Sequence, residues 1–433
     1  MLVKKIKEKK ASIGIIGMGY VGLPLGVEIA KAGFKILGVD LDKEKIHMIN
    51  KGKSYISDVT DEELSILVED RVISATYDYS RLGDCDIILI CVPTPVTQAK
   101  EPDVSYIIDA GKRIVKILRR EQLIVLKSTT YPFTTQEVLL PILNKKGLKV
   151  GQDYYLAFVP ERIDPGNKEF GIRNTPAVIG GVTPRCTELC ALFYEQFVEK
   201  VVKVSSPAAA ELTKLLENVF RNINIALVNE FALLCERIGG LNIWEIVEAA
   251  RTKPFGYMPF YPGPGVGGHC IPIDPYYLSW KARCYDFHTS FIELAAKINE
   301  DMPFYVVDKI VKALSKNGLC PAKSRVFVLG VTFKKDINDL RHSPSLRVIE
   351  ILEDLVGEVV YHDPYINEFR NGKKIYRSIK LDRKNLKDAD CVVILTDHSK
   401  FKPDFILKHA KLVVDTRNLI KQADPRVVKL GAG

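Results

Sequence analysis

A cysteine lies in a glycine-rich segment of the chain, Gly263-Pro-Gly-Val-Gly-Gly-His-Cys-Ile-Pro-Ile-Asp274. Glycine residues let the backbone approach a ligand closely and adopt positive φ angles. The thiol of Cys270 can therefore reach a substrate from this loop, which makes it a candidate nucleophile that forms a covalent intermediate. The alternative is a buried thiol that packs as a small apolar side chain.

A second motif, Gly17-Met-Gly-Tyr-Val-Gly22, has the spacing G-x-G-x-x-G between an apolar predicted strand and a predicted helix. Such glycines bring the pyrophosphate of a dinucleotide to the helix N-terminus. Asp40 ends the next predicted strand, where a carboxylate accepts hydrogen bonds from ribose hydroxyls and repels a 2′-phosphate. The motif therefore predicts NAD rather than NADP, the alternative being a tight turn without a ligand. The predicted cofactor contacts here are Gly17, Gly19, Tyr20, Val21, Gly22, Asp40 and Lys45.

Two threonines follow the ends of later predicted strands. Thr94 lies in Cys91-Val-Pro-Thr-Pro95, and Thr129 lies in Lys127-Ser-Thr-Thr130. In an open parallel sheet the carboxyl ends of the strands face the ligand crevice. Both threonines are therefore candidate cofactor contacts, and a helix cap or a turn residue is the alternative for each.

The elements that position these residues alternate between strands and helices. Residues 12 to 205 contain near-continuous apolar strands separated by helical segments, which predicts a parallel sheet buried on both faces. Residues 206 to 302 are helical, with one long helix over 208–238, and the alternation returns from about residue 324. We predict an α/β fold of two Rossmann-like doubly wound domains joined by a long central helix. The predicted divisions are 1–205 for NAD, 206–302 for dimerisation and 303–433 for the C-terminal domain.

Composition excludes several classes of function. The 433 residues carry a net charge of +9, but lysine is spread along the chain rather than clustered as nucleic-acid binding requires. No apolar run is long enough to span a bilayer, and the basic N-terminus, without a signal peptide, is expected to lead directly into a strand. Nine scattered cysteines indicate neither a disulfide framework nor a metal site. A cytoplasmic enzyme is expected.

Five segments spread over nearly the whole chain together resemble the UDP-sugar 6-dehydrogenase family. They are the Gly17–Gly22 motif, Pro160-Glu-Arg-Ile-Asp-Pro-Gly166, Glu211-Leu-Thr-Lys-Leu-Leu-Glu-Asn218, the Cys270 loop and Gly330-Val-Thr-Phe-Lys-Lys-Asp-Ile-Asn-Asp-Leu-Arg-His-Ser-Pro344. The resemblance implies oxidation of the C6 alcohol of a UDP-hexose to a carboxylate with two NAD+. It also implies a UDP-binding C-terminal domain and a homodimer or higher homo-oligomer formed through the central helix.

The resemblance also implies residue roles. Cys270 is the nucleophile, Lys214 stabilises the developing oxyanion, and Asn218 and Asp274 position a water and transfer protons. Glu161 assists hydrolysis of a thioester, and Thr129 contacts the same water. Arg341 contacts the NAD pyrophosphate. The predicted substrate contacts are Glu161, Arg162, Lys214, Asn218, Tyr261, Gly267, Lys334 and Arg417. Taken singly, these charged residues also fit solvated surface positions or salt bridges.

The flanks of Cys270 bear on the identity of the sugar. The UDP-glucose branch often has Pro-Lys-Asp after the cysteine and a second glutamate after the one matching Glu161, where this chain has Ile273 and Pro165. The segments 160–166 and 269–278 instead resemble the UDP-N-acetylhexosamine branch. Within that branch, the segments 253–262 and 279–283 resemble the UDP-N-acetylglucosamine enzymes more than the UDP-N-acetylmannosamine enzymes. UDP-N-acetylmannosamine, then UDP-glucose, are the alternatives. A two-electron dehydrogenase that releases the aldehyde and a silent nucleotide-sugar-binding regulator remain open.

Overall fold

The structure is a computed structural model that describes residues 1–433 except Ser57, Gln98, Pro165, Lys168, His269, Cys270 and Lys373. The chain forms two compact units. The first comprises Met1–Glu217 and Tyr276–Phe287, and the second comprises Asn218–Pro275 and His288–Gly433. The predicted nucleophile Cys270 lies outside the described residues.

An eight-stranded sheet forms the centre of the first unit, in the order β3-β2-β1-β4-β5-β6-β7-β8. Its strands are β1 (Ser12–Ile16), β2 (Lys35–Val39), β3 (Ile73–Thr76), β4 (Ile87–Ile90), β5 (Leu123–Leu126), β6 (Tyr155–Phe158), β7 (Ala177–Gly181) and β8 (Val201–Lys203). The order reverses between β1 and β4, which places the switch point of a doubly wound sheet there. All described pairings in this sheet are parallel except that of β6 with β7.

Helices cover both faces of this sheet, and the side chains that they bury with the strands form two apolar clusters. They are α1 (Leu2–Lys7), α2 (Gly22–Lys31), α3 (Lys43–Asn50), α4 (Asp61–Glu69), α5 (Ser105–Ile117), α6 (Leu140–Asn144) and α7 (Pro184–Tyr194). A π-helical segment, Thr134–Leu139, precedes α6. The expectation that the N-terminus leads directly into a strand is wrong, because Leu2 and Ile6 form an apolar i, i+4 pair that α1 buries.

Four helices follow the first sheet in the chain. They are α8 (Pro207–Ile238), α9 (Ile243–Arg251), α10 (Asp274–Arg283) and α11 (Ser290–Lys316). Helices α8 and α10 contribute residues to both compact units. The division of the chain into three domains at residues 205 and 302 therefore stays a prediction.

The second unit contains a parallel sheet in the order β10-β9-β13-β14-β15. Its strands are β9 (Arg325–Leu329), β10 (Glu358–His362), β13 (Cys391–Ile394), β14 (Val413–Asp415) and β15 (Val427–Lys429), and an antiparallel hairpin is formed by β11 (Glu368–Asn371) and β12 (Lys374–Arg377). Helices α12 (Pro344–Glu353), α13 (Arg383–Asp388) and α14 (Pro403–His409) complete the unit. The order reverses between β9 and β13, so the segments after these strands meet at one edge.

The predicted fold class is confirmed: two parallel α/β sheets occur with long central helices, α8 and α11. Across the part of the chain that the structure describes, no helix is long and apolar enough to cross a bilayer.

Candidate active site

The glycine motif forms the turn between β1 and α2. A Cβ atom on Gly22 would lie 1.9 Å from the carbonyl oxygen of Gly17, so only glycine permits this closure of the turn. A Cβ atom on Gly19, in contrast, would meet no atom within 4 Å. The turn therefore leaves open space at Gly19, just before the N-terminus of α2, and a helix N-terminus attracts the pyrophosphate of a dinucleotide.

Asp40 follows β2 at the same edge of the sheet. Its carboxylate accepts hydrogen bonds from the backbone amides of Met18 (2.8 Å) and Asp42 (3.0 Å). The first amide belongs to the glycine motif and the second to the N-cap residue of α3, so together they hold the carboxylate at the predicted ribose position. Lys45 lies in α3, with its Nζ 3.9 Å from the Asp42 carboxylate, and the side chain of Tyr20 is half exposed.

Replacing Asp40 by alanine is expected to raise the KM for NAD+ by about tenfold or more, since a hydrogen bond to a charged group contributes ~1.5–3 kcal/mol. Loss of the negative charge is also expected to lower the ratio of kcat/KM for NAD+ to kcat/KM for NADP+. Steady-state kinetics with both cofactors measure the two effects. Asp70→Asn, an exposed change at the end of α4, is the control. An unchanged KM and cofactor preference in the Asp40 variant contradict the assignment.

The two threonines lie beyond neighbouring strands of the same sheet. Thr94 follows β4 and is buried, and its carbonyl oxygen accepts a hydrogen bond of 2.6 Å from the hydroxyl of Tyr277. Thr129 follows β5 and is half-buried. Both thus occupy the carboxyl edge at which the glycine motif also lies, as expected from the order of the strands.

Glu161 follows β6 and forms an ion pair with a buried lysine. Its carboxylate lies 3.2 Å from the Nζ of Lys127, and it accepts hydrogen bonds from the amides of Arg162 (2.9 Å) and Ile163 (3.0 Å). Burial opposes ionisation of this carboxyl, but Lys127, the Ile163 amide and Lys214 together hold its pKa below the usual value. The structure therefore favours an ionised Glu161, which can accept a proton.

Lys214 is buried on α8 and acts on Glu161 electrostatically. Arg162 turns away from Glu161: its guanidinium lies 2.7 Å from the carboxylate of Glu217 and donates to the carbonyl of Pro176 at 2.6 Å. The first unit thus brings Glu161 and Lys214 together, whereas Arg162 is engaged in a separate ion pair.

The segment that follows Cys270 is attached to α8 by two asparagines. The side-chain amide of Asn218 donates to the carboxylate of Asp274, the first residue of α10, and both side chains are buried. The side-chain amide of Asn222, one turn further along α8, donates to the carbonyl of Ile271 at 3.1 Å. The predicted pair Asn218 and Asp274 is therefore in contact.

The glycine-rich segment before Cys270 packs against residues that follow the carboxyl ends of strands β9 and β14. A Cβ atom on Gly267 would lie 2.6 Å from the Cβ of Phe333, which leaves room only for glycine, and the Gly268 amide donates to the Arg341 carbonyl at 2.9 Å. The guanidinium of Arg417, which follows β14, lies beside Gly263. Gly267 thus packs against Phe333, the residue before Lys334, and Arg417 lies beside the start of the same glycine-rich segment.

Two other predicted residues have protein partners of their own. Arg341 forms a two-point ion pair with Asp339, with the shortest N–O distance at 2.6 Å. Tyr261 donates from its hydroxyl to Glu248 at 2.5 Å and stacks on Trp244. Their assigned contacts with the pyrophosphate and the sugar nucleotide stay predictions.

A buried glutamate, Glu211, holds the chain that follows Thr129. Its carboxylate accepts hydrogen bonds from the Phe133 amide (2.6 Å), the Thr135 amide (2.9 Å) and the Thr135 hydroxyl (2.6 Å). Phe133 has a left-handed φ of 75°, which is unfavourable for this residue type. Glu211 therefore fixes an irregular turn at the start of the π-helical segment.

The stability of the protein is expected to depend on ionisation of Glu211. Burial raises its pKa from 4.5 to about 7, against the lowering effect of its hydrogen bonds to Thr135 and Phe133. The folded chain thus binds a proton more tightly than the unfolded chain, and this contribution to stability is lost as the pH rises from about 4.5 to 7. Glu211→Gln is expected to lose this dependence, measured as the thermal unfolding midpoint against pH. Glu230→Gln, an exposed change on the same helix, should retain the pH dependence of the wild type. The prediction is contradicted if the unfolding midpoint changes equally with pH in the wild type and in both variants.

Sequence patterns did not identify Lys127, Asn222 or Glu211 as functional candidates. Each has a sequence signal: Lys127 ends an apolar strand at the carboxyl edge, and Asn222 and Glu211 share the spacing of 3 and 4 residues with Lys214 and Asn218 on α8.

Comparison with known proteins identifies the family of the chain. The sequence matches three profiles of the UDP-glucose/GDP-mannose dehydrogenase family: the NAD binding domain over residues 11–198, the central domain over 208–301 and the UDP binding domain over 327–422. The expectation of NAD as the cofactor is thereby confirmed.

Individual relatives match nearly the full chain. A UDP-N-acetyl-D-mannosamine dehydrogenase of Pyrococcus horikoshii is 34% identical over 97% of this chain and 99% of its own length. A UDP-N-acetyl-D-glucosamine 6-dehydrogenase of Pseudomonas aeruginosa is 33% identical over 91% of this chain and 92% of its own length. The solved structure of UDP-D-ManNAc dehydrogenase from Pyrococcus horikoshii superposes with a TM-score of 0.89, at 33% identity, over 98% of this chain and 99% of that one.

Proposed function

The chain belongs to the UDP-glucose/GDP-mannose dehydrogenase family, and on that premise we propose that it oxidises the C6 alcohol of a UDP-N-acetylhexosamine to the carboxylate. It is an NAD-dependent UDP-sugar dehydrogenase. The observation that carries the finer proposal is that relatives named for two N-acetylated sugars match almost all of the chain.

When bound, NAD+ would supply a hydride acceptor for C6, and the four-electron reaction uses two NAD+ in succession, one for each hydride. We assign the first role to Lys214, whose ammonium group stabilises negative charge on the C6 oxygen as the proton is lost. Burial of this lysine supports the assignment, because a charge removed from water interacts more strongly with a developing oxyanion.

Cys270 is assigned the covalent step. Its thiolate adds to the aldehyde carbon, and the thiohemiacetal that forms has a hydrogen on C6 that leaves as the second hydride, giving a thioester. The contacts of Asn218 with Asp274 and of Asn222 with Ile271 support this role, because they hold the segment after Cys270 against the part of α8 that lies in the second unit. Water then releases the acid, with Glu161 accepting its proton.

Of the two C2 epimers we propose N-acetylglucosamine as the sugar. The support is the resemblance of segments 253–262 and 279–283 to that branch. The second candidate is N-acetylmannosamine, which is favoured by the high structural similarity of the Pyrococcus horikoshii protein. Since the identities of the two groups of relatives differ by one percentage point, they do not discriminate between the epimers.

A substrate comparison tests this proposal. The enzyme is incubated with NAD+ and either UDP-N-acetylglucosamine, UDP-N-acetylmannosamine or UDP-glucose, and NADH and the acid product are quantified. We expect two NADH per acid, and a kcat/KM for UDP-N-acetylglucosamine at least about tenfold above that of its epimer. A preference for the epimer replaces the first candidate by the second. Rapid turnover of UDP-glucose alone overturns the acetylated substrate, and one NADH per sugar overturns the four-electron reaction.

The central helix supports a second part of the proposal, a homodimer or higher homo-oligomer. Along its part in the second unit, α8 carries large apolar side chains that are 45–62% exposed: Phe220, Leu227, Phe231, Leu234 and Ile238. A contiguous apolar stripe of this kind is typical of a protein interface. We propose that a second copy of the chain covers it, which sedimentation equilibrium measures directly.

A further inference from the structure

The ion pair between Lys127 and Glu161 is unusual because both charges are taken out of water. The side chain of Lys127 is 5% exposed and that of Glu161 is 17% exposed. Removal of two ions from water is costly, so a buried ion pair is weak evidence for a role in stability. A functional role for Lys127 therefore explains its position better than a stabilising role does.

Several other groups lie around the carboxylate. Lys214 on α8 and the amide of Ile163 also favour the ionised form, but Lys127 has the largest favourable effect on it. Tyr194 on α7 and Cys91 after β4 also face the pair, and burial keeps each of them neutral by raising its pKa. Arg162, the adjacent residue, directs its charge to Glu217.

The pair also borders space for solvent. Lys127, Glu161 and Tyr194 line a cavity of about 30 Å³, which is large enough for a water molecule. A carboxylate acts as a general base only while it is ionised, and burial alone shifts it toward the protonated form. Removal of Lys127 takes away the largest favourable effect and leaves burial of Glu161 opposed by the Ile163 amide and Lys214.

We propose that Lys127 is a positioning residue that keeps Glu161 ionised and oriented for hydrolysis of the thioester. This inference rests on the proposed function. In the step concerned, the water oxygen bonds to the thioester carbon, the water proton passes to the Glu161 carboxylate, and the carbon–sulfur bond breaks to release the thiolate. Lys127 itself neither contacts the reacting atoms nor exchanges a proton.

The test compares Lys127→Met with Glu161→Gln across pH. We expect Lys127→Met to complete both hydride transfers, seen as rapid formation of two NADH per site, and then to hydrolyse the thioester about tenfold or more slowly than wild type near pH 6. Near pH 9 its rate is expected to return to within about threefold of wild type as Glu161 ionises. Intact-protein mass spectrometry should show the covalent adduct accumulating at the lower pH.

The controls separate this role from a structural one. Glu161→Gln is expected to accumulate the adduct at every pH, and adding Lys127→Met to it should cause no further loss. Lys127→Arg, which keeps the charge, should restore most of the low-pH rate, and Lys112→Met, an exposed change on α5, should match wild type. Hydrolysis in Lys127→Met with the wild-type pH profile, or additive losses in the double variant, overturns the inference. A wild-type enzyme that does not form two NADH per acid refutes the proposed function instead.

Discussion

Cys270→Ser is expected to lower the rate of acid formation by about 10³-fold or more, because a serine hydroxyl is a far weaker nucleophile than a thiolate at neutral pH. The first hydride transfer does not need the thiol, so the variant should form at most one NADH per site and retain the aldehyde. Without the thiohemiacetal there is no second hydride donor. Rapid mixing measures the NADH formed per site, and mass spectrometry measures the adduct on the protein.

An exposed cysteine provides the matched control for this variant. Cys284 lies in the same chain and is exposed, so Cys284→Ser should keep both the rate of acid formation and the adduct of the wild type. Full activity of Cys270→Ser, or an adduct that persists in it, contradicts the covalent mechanism.

Lys214→Met is expected to lower kcat by about 10²–10³-fold, the usual effect of removing one donor that stabilises an oxyanion. Because methionine has a similar shape, the packing of α8 should be kept while the charge is lost. Lys214 also contributes to the low pKa of Glu161, so the remaining activity should increase with pH. The rate of the first NADH phase in rapid mixing measures the main effect.

An exposed lysine in the same unit tests whether any loss of charge has this effect. Lys203→Met on β8 should leave kcat unchanged, and Lys214→Arg should recover part of the lost activity by restoring a cation. A kcat for Lys214→Met within about threefold of wild type excludes the assigned role.

Residues whose role depends on local spacing were predictable from the sequence. The glycine motif lies between β1 and α2, and Lys214 and Asn218 are four residues apart on α8, since short-range periodicity determines both. The contact of Asn218 with Asp274 was implied only by resemblance, because 56 residues separate them.

Features that depend on tertiary packing were not predictable in this way. The antiparallel pairing of β7 with β6 was not predicted, since a buried apolar strand has the same composition in either direction. The hairpin of β11 and β12 was missed because its strands are largely polar and exposed. Lys127 was missed because a lysine is normally exposed, and only the fold shows that its strand ends beside Glu161.

The spacing of the functional residues on helix α8 limits the insertions and deletions that this part of the chain can accept. Glu211, Lys214, Asn218 and Asn222 follow one another at intervals of three or four residues and so lie along one stripe of the helix. An insertion of a single residue between Lys214 and Asn218 rotates every later side chain by about 100° relative to the earlier ones. Substitution of one of these residues removes only its own contacts, whereas a change in the length of the helix between them misplaces every residue that follows.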